Sequence, residues 1–323
     1  MNKNLEDRLS SRDQFIFGVP ADFFQPFEPV EKLLPESYEP LASFKENLRS
    51  AFIVGSMPFQ LTHSSILQQR FNQIHTAARI RSLVNKDENG NYLEKEEELA
   101  FAKASAEMSE ELREGTIIKR HAENTLKLLD THLRDTEFRI SAGELLRQIV
   151  VLCWGALEVV VNDTMRSLLN ANPALVRLLT TDKEYKDALF GRDLVEKLEQ
   201  RSFDLSNSMG DLFCDAVRLD SLEKMRRVVS LVLQNPAVDK QLKDEKLWKL
   251  AQQRHLIVHR RGVVDARFRL RTDEKRPVGQ SIEFDSDYVE SCLTCVRDAG
   301  LSLASSVARA SPSFSVDKGL DAR

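Results

Sequence analysis

Coiled as a helix, the run Ile149 to Val161 is apolar on nearly every side, with Glu158 as its one charged residue. A helix without a polar face is stable only where other helices surround it, so this run requires a helical jacket and becomes its buried axis. Just upstream, Ser141-Ala142-Gly143-Glu144 has the capping-box pattern, in which serine and glutamate satisfy the orphan amides of a first turn, and it predicts that the axis helix begins there. Downstream, Asn170-Ala171-Asn172-Pro173, Gly191 and Gln234-Asn235-Pro236 interrupt the helical pattern at short intervals. The spacing predicts a predominantly all-α fold, an antiparallel helical bundle with short connections.

The first 60 residues have a different texture. Phe15, Phe17, Phe23, Phe24 and Phe27 alternate with Pro20, Pro26, Pro29, Pro35 and Pro40, a proline density that argues against long helices. Aromatics at this density argue against free disorder, so residues 1–60 are expected to form an irregular, extended segment lying over another surface. Asn85 to Tyr92 reads as a turn, and Ile118, Ala122, Leu126, Leu129 and Leu133 mark one face of a long helix. The expected organisation is the Pro/Phe-rich segment, a helical region over 61–140 with an acidic stretch, a helical domain over 141–309 and a flexible tail over 310–323.

With 42% hydrophobic and 30% charged residues and no apolar run of about 18, nothing resembles a membrane span, and the first residues, Met1 to Asp7, lack a secretory pattern. A soluble cytoplasmic protein is expected. Cys153, Cys214, Cys292 and Cys295 lie mostly within apolar helical patterns, which favours buried thiols over a disulfide framework. Cys292 and Cys295 have the spacing of a redox or zinc pair but no second pair, and they read as core.

Charge is unevenly placed. Between Ala251 and Arg276 eight basic residues face three acidic ones, a net of +5, whereas Asp87 to Glu111 carries nine acidic residues and two lysines, a net of −7. The acidic run reads as a solvated face, and the basic run suits contact with phosphate. Within the basic run lies Gln253-Arg254-His255-Leu256-Ile257-Val258-His259-Arg260-Arg261-Gly262, on a helix that Asp244 is placed to cap and Gly262 to end in the left-handed conformation. After it, Phe268 and Leu270 alternate with arginines, and Ile282 and Phe284 flank Glu283, a period of two that predicts a small β-hairpin with its tip at Lys275 to Gly279.

Arginine offers phosphate a permanently charged, planar fork, while histidine moves protons near neutral pH, so Arg254 and His259 together suit attack on a phosphodiester. His255 and His259, one helical turn apart, have the spacing of zinc ligands, but Leu256 stands where a zinc protease carries glutamate and no third ligand is recognisable, so neither a metal nor another cofactor is expected. His255 is instead a second proton carrier or phosphate contact.

The Arg-x4-His pattern of Arg254 and His259, followed by a basic turn and one further amphipathic helix, resembles the signature of the HEPN superfamily (higher eukaryotes and prokaryotes nucleotide-binding domains). The resemblance covers roughly Ser141 to Arg309. The chain departs from the commonest form at His255, where a polar residue, often asparagine, usually follows the arginine, and at Arg260, which replaces a frequent small or amide residue. The resemblance implies a metal-independent endoribonuclease that leaves a 2′,3′-cyclic phosphate, with Arg254 and His259 catalytic. It further implies that Glu158 orients Arg254. Arg260, Arg261 and Arg267 suit the RNA backbone by their charge. On a regular helix the catalytic pair is separated by about 140° and about 7.5 Å of rise. The family resolves this by dimerisation, which implies a homodimer with a composite site. A toxin or defence role is compatible with that chemistry, the N-terminal region then serving to recruit a target, restrain the nuclease or bind an antitoxin or another protein partner. Two alternatives stand beside it: a non-catalytic HEPN-like module that binds nucleotide, RNA or protein, and a structural protein whose basic turn pairs with the acidic stretch.

Overall fold

The computed structural model describes residues 10–35, 38–81 and 94–310, and its fold is all-α, with fifteen α-helices among those residues. It divides into two compact units, Met1–Gly18 with Gly55–Glu144 and Val19–Val54 with Leu145–Arg323. Two of the three boundaries fall inside long helices, Glu39–Arg81 and Thr136–Ala171, and the third lies between Gly18 and Val19, outside any helix.

In the second unit the axis expected from the apolar run is present but not enclosed on every side: Ile149, Val150, Cys153, Trp154, Leu157, Val160 and Val161 are buried, whereas Leu152 and Val159 are exposed. Its helix starts earlier than the capping-box pattern predicts. Asp135 accepts the Phe138 amide at 2.9 Å and the helix runs from Thr136 through to Ala171, so Ser141 is interior and its hydroxyl donates to the Glu137 carbonyl at 2.9 Å. An Asp-x-x-Phe start six residues upstream supplies the same orphan amides, and the later pattern is redundant. The remaining punctuation acts as read. Gln234 turns left-handed at φ 50° after Leu222–Leu233, and Asn235 caps Pro236–Leu242 by accepting the Ala237 amide at 2.9 Å. The final helix, Ser286–Ala310, packs on Pro236–Leu242, on the motif helix Glu245–Arg260 and on the short helix Phe27–Glu31. Gly300 lies under the Phe44 ring, where an added Cβ would come within 2.3 Å of its edge.

Proline does not prevent a long helix here. Residues 10–35 are irregular, with only four- and five-residue helices, but Glu39–Arg81 runs 43 residues with Pro58 inside it. Pro40 occupies the first turn, where no amide partner is lost. The aromatics are packed as expected of a covering segment: Phe23 meets the Phe52 ring edge-on at 4.7 Å and lies under the Arg297 guanidinium, whose Nη1 donates to the Phe23 carbonyl at 3.1 Å.

The β-hairpin does not form. Among the described residues, pairing here is a single antiparallel bridge between Val263 and Ser281, and Ala266–Thr272 is a helix capped by Asp265, which accepts the Phe268 amide at 2.7 Å. The cap decides between two periods. A strand would put Phe268 and Leu270 on one face, whereas the helix buries Phe268 and leaves Leu270 86% exposed.

In the first unit, Gly115–His132 is a helix, but its buried face is His121, Thr125 and Leu129, and Ile118 is exposed. His63 Nδ1 lies 2.9 Å from the Thr125 hydroxyl, which donates to the His121 carbonyl. This polar seam shifts the buried face at the start of the helix, while Leu129 and Leu133 of the face predicted from aliphatic spacing are buried. The acidic stretch forms the helix Glu94–Glu111. The turn read at Asn85–Tyr92 and the tail beyond residue 310 lie outside the described residues.

Candidate active site

Asp244 starts the motif helix by accepting the Lys246 amide at 2.7 Å, and Leu247, Leu250, Leu256 and Ile257 anchor it in the core. With that side fixed, Trp248, Gln252, His255 and His259, spaced four, three and four residues apart, fall on a second face, and all four line one groove of about 1000 Å³. The helix ends in two left-handed residues, Arg261 (φ 53°) and Gly262 (φ 76°), with the Gly262 amide donating to the Leu256 carbonyl at 3.2 Å. Gly262 thus ends the helix as the sequence suggested, and Arg261 shares the strained conformation. A Cβ at Gly262 would press on the Arg147 side chain at 3.1 Å, and that arginine donates to the Ile282 carbonyl. The turn after the motif is therefore held on both sides.

Arg254 and His259 both line the groove, although their spacing on a regular helix predicts divergence. The reach of the arginine side chain makes up the difference. Glu158 approaches Arg254: its Oε2 lies 4.0 Å from Nη2 and accepts the Trp154 indole N–H at 3.1 Å. At that separation the carboxylate biases the guanidinium by charge without hydrogen-bonding it, which leaves donors for a ligand. Trp154, itself buried, fixes the carboxylate.

The His255 and His259 rings are 4.5 Å apart at 49°. The imidazole of His255 titrates below its ordinary value, first because the ring is desolvated against the groove wall, then because His259, Arg254 and Arg267 oppose a further positive charge, with Asp265 acting the other way. A neutral imidazole at pH 7 can accept a proton. Of the arginines assigned to the backbone of RNA, Arg260 and Arg267 line the groove and Arg261 does not. Arg260 is 3.9 Å from Asp265, the cap of the next helix, and Arg267 has no ion-pair partner among the described residues.

Sequence reasoning missed the opposite wall. Arg226, Arg227 and Ser230 of Leu222–Leu233 line the same groove, joined by Arg271 of the basic run, which donates to Gln252 at 3.4 Å. Arg226 and Arg227 occupied the polar positions of an amphipathic helix, and only tertiary packing shows that those positions face the motif. Among the described residues no group of three or more histidines, cysteines, aspartates and glutamates gathers as a metal site. Cys153 and Cys292 are buried and Cys295 is half-buried, and burial pushes the Cys292 thiol up to about 11 and the Cys295 thiol to about 12. No helix among the described residues is long and apolar enough to cross a membrane. Comparison with family models, with curated proteins and with solved structures gives no match.

Proposed function

We propose that the protein is a metal-independent endoribonuclease whose groove holds single-stranded RNA. The observation that carries this reading is the convergence of Arg254, His255, His259, Arg260 and Arg267 on one groove. In the proposed reaction His259, with His255 beside it, takes the proton of a ribose 2′-hydroxyl as that oxygen attacks the adjacent phosphorus. The bond to the 5′-oxygen breaks, that oxygen as it leaves takes the proton that the imidazole has just accepted, and the products are a 2′,3′-cyclic phosphate and a 5′-hydroxyl. Arg254, held by charge towards Glu158, stabilises the negative charge that builds on the phosphoryl oxygens. Arg260 and Arg267 hold the backbone without reading sequence. The chemistry calls for no metal, because two proton carriers and a fixed cation supply what a metal would.

We place this activity in a homodimer, with His259 and Val258 exposed on the motif helix and Leu152 and Val159 exposed seven residues apart on the central helix. A toxin or defence role, with an antitoxin as partner, is compatible with such a nuclease. The purified protein, incubated with a mixed RNA pool in EDTA, should yield fragments with 2′,3′-cyclic phosphate ends. Intact RNA, bound or unbound, would leave the groove as a non-catalytic binding module.

A further inference from the structure

The groove is larger than one phosphate needs. A volume of about 1000 Å³ is at the upper end for a site that encloses a whole small molecule, and the catalytic side chains occupy one end of its motif-helix wall. From His255 the same face runs through Gln252 to Trp248, two helical turns or about 10.5 Å away.

Two residues beyond the catalytic end have unsatisfied capacity. Arg226 has its Nε buried with no hydrogen-bond partner. Its neighbour in sequence differs: Arg227 is engaged by Asp182 and Glu184, 2.9 Å away in the second case, and covers the Tyr185 ring at 5.3 Å. Asp239 feels the charge of Arg226 but already accepts from Ser230 at 3.0 Å and from Lys243. A buried, unsatisfied donor on a charged group is costly, and an Arg226 side chain that turns to meet an anion in the groove it lines would shed that cost. Trp248 is half-buried, lines the groove, and meets no other ring or cation among the described residues. The other tryptophan, Trp154, is 2% exposed and closed to a ligand's stacking.

We infer that Arg226 and Trp248 form a second nucleotide subsite, in which the indole face stacks a base and the guanidinium binds a backbone phosphate next to the reacting one. The site takes a single-stranded oligonucleotide, and stacking makes it tolerant of sequence. It rests on the ribonuclease reading for the identity of the polymer, and it is tested without cleavage.

The probe is a fluorescein-labelled hexamer of 2′-O-methyluridine, which lacks the nucleophilic hydroxyl and reports binding alone. Binding should quench the tryptophan emission, and Trp248→Ala should remove the quenching and raise Kd on the order of tenfold, with Trp248→Phe retaining most of the affinity. Arg226→Gln should raise Kd on the order of tenfold and lower the slope of log K against log salt by about 0.7, the share of one phosphate on a single strand. Helix content by circular dichroism separates these effects from misfolding, and Arg226→Lys, which keeps the charge, should preserve most of the salt slope. Binding that weakens in Arg267→Gln but not in the Arg226 and Trp248 variants would overturn the subsite and leave the ribonuclease reading standing. No binding by the wild-type protein would remove both.

Discussion

The acidic helix of the first unit and the basic groove of the second are both dense in charge, yet their charges are disposed of differently. On Glu94–Glu111, Glu97 and Glu111 are each gripped by both ends of an arginine fork, from Arg79 and Arg70, and Glu107 lies 3.7 Å from Arg81. In the groove, Arg254 stands 4.0 Å from Glu158, Arg226 has an unsatisfied Nε, and Arg267 has no ion pair among the described residues. Charge density alone does not distinguish a structural surface from a site; what distinguishes them is whether the fold has already used the donors. Glu97, Glu107 and Glu111 of the acidic stretch are engaged by arginines of their own unit.

The largest separation between the regions should come from Arg254→Lys, which keeps the charge and loses the planar fork. Cleavage should fall about 10²- to 10³-fold, measured as kcat on a single RNA, since the fork serves the developing charge in the transition state. A variant within threefold of wild type would contradict that role. Glu158→Gln removes the charge that faces Arg254 while keeping the acceptor for Trp154, and kcat should fall about tenfold with KM little changed. A change in KM alone would make Glu158 a binding residue. The matched disruption in the first unit, Arg70→Ala, should leave kcat unchanged and lower stability by at most about 1 kcal/mol, the usual range for exposed ion pairs, as read by urea unfolding. Loss of cleavage there would show that the two regions are coupled.

The smallest effect concerns pH. Desolvation and its positive neighbours hold the His255 pKa in the folded protein below the ordinary 6.5, so protonation opposes the folded state. Its contribution to stability is complete above about pH 6.5 and is lost as pH falls through the folded value. Histidine NMR should find this resonance titrating below its ordinary value in the free protein and moving upward when the hexamer's phosphates enter the groove. An imidazole that titrates above 6.5 in the free protein would contradict the electrostatics of the groove.

Most of the axis helix was legible because an apolar face is stable only against a core, although its Leu152 and Val159 side is exposed, and Asn235 and Asp244 were legible because capping is local. The hairpin was misread for a related reason. The alternation of Phe268 and Leu270 fits a strand, but Asp265 sets a helix at once, and one well-formed cap outweighs two alternating residues. Of the site, the motif face with Trp248 on it follows from spacing, whereas Arg226 could not be read, since nothing local says which neighbours a polar helical position will meet. The buried His121 and Thr125 were missed because the periodicity was sought in aliphatic residues alone.

The central claim is that charges the fold leaves unused in the groove carry out phosphodiester chemistry. The most direct test is the cleavage rate of one defined RNA, in EDTA, by His259→Ala against wild type at matched helix content and matched mass by light scattering. The account predicts that wild type cuts as a dimer, leaving 2′,3′-cyclic phosphate ends, and that the variant folds and pairs identically but cuts about 10²- to 10⁴-fold more slowly, the range expected for loss of a general acid or base. A His259→Ala protein that cuts at the wild-type rate would contradict it.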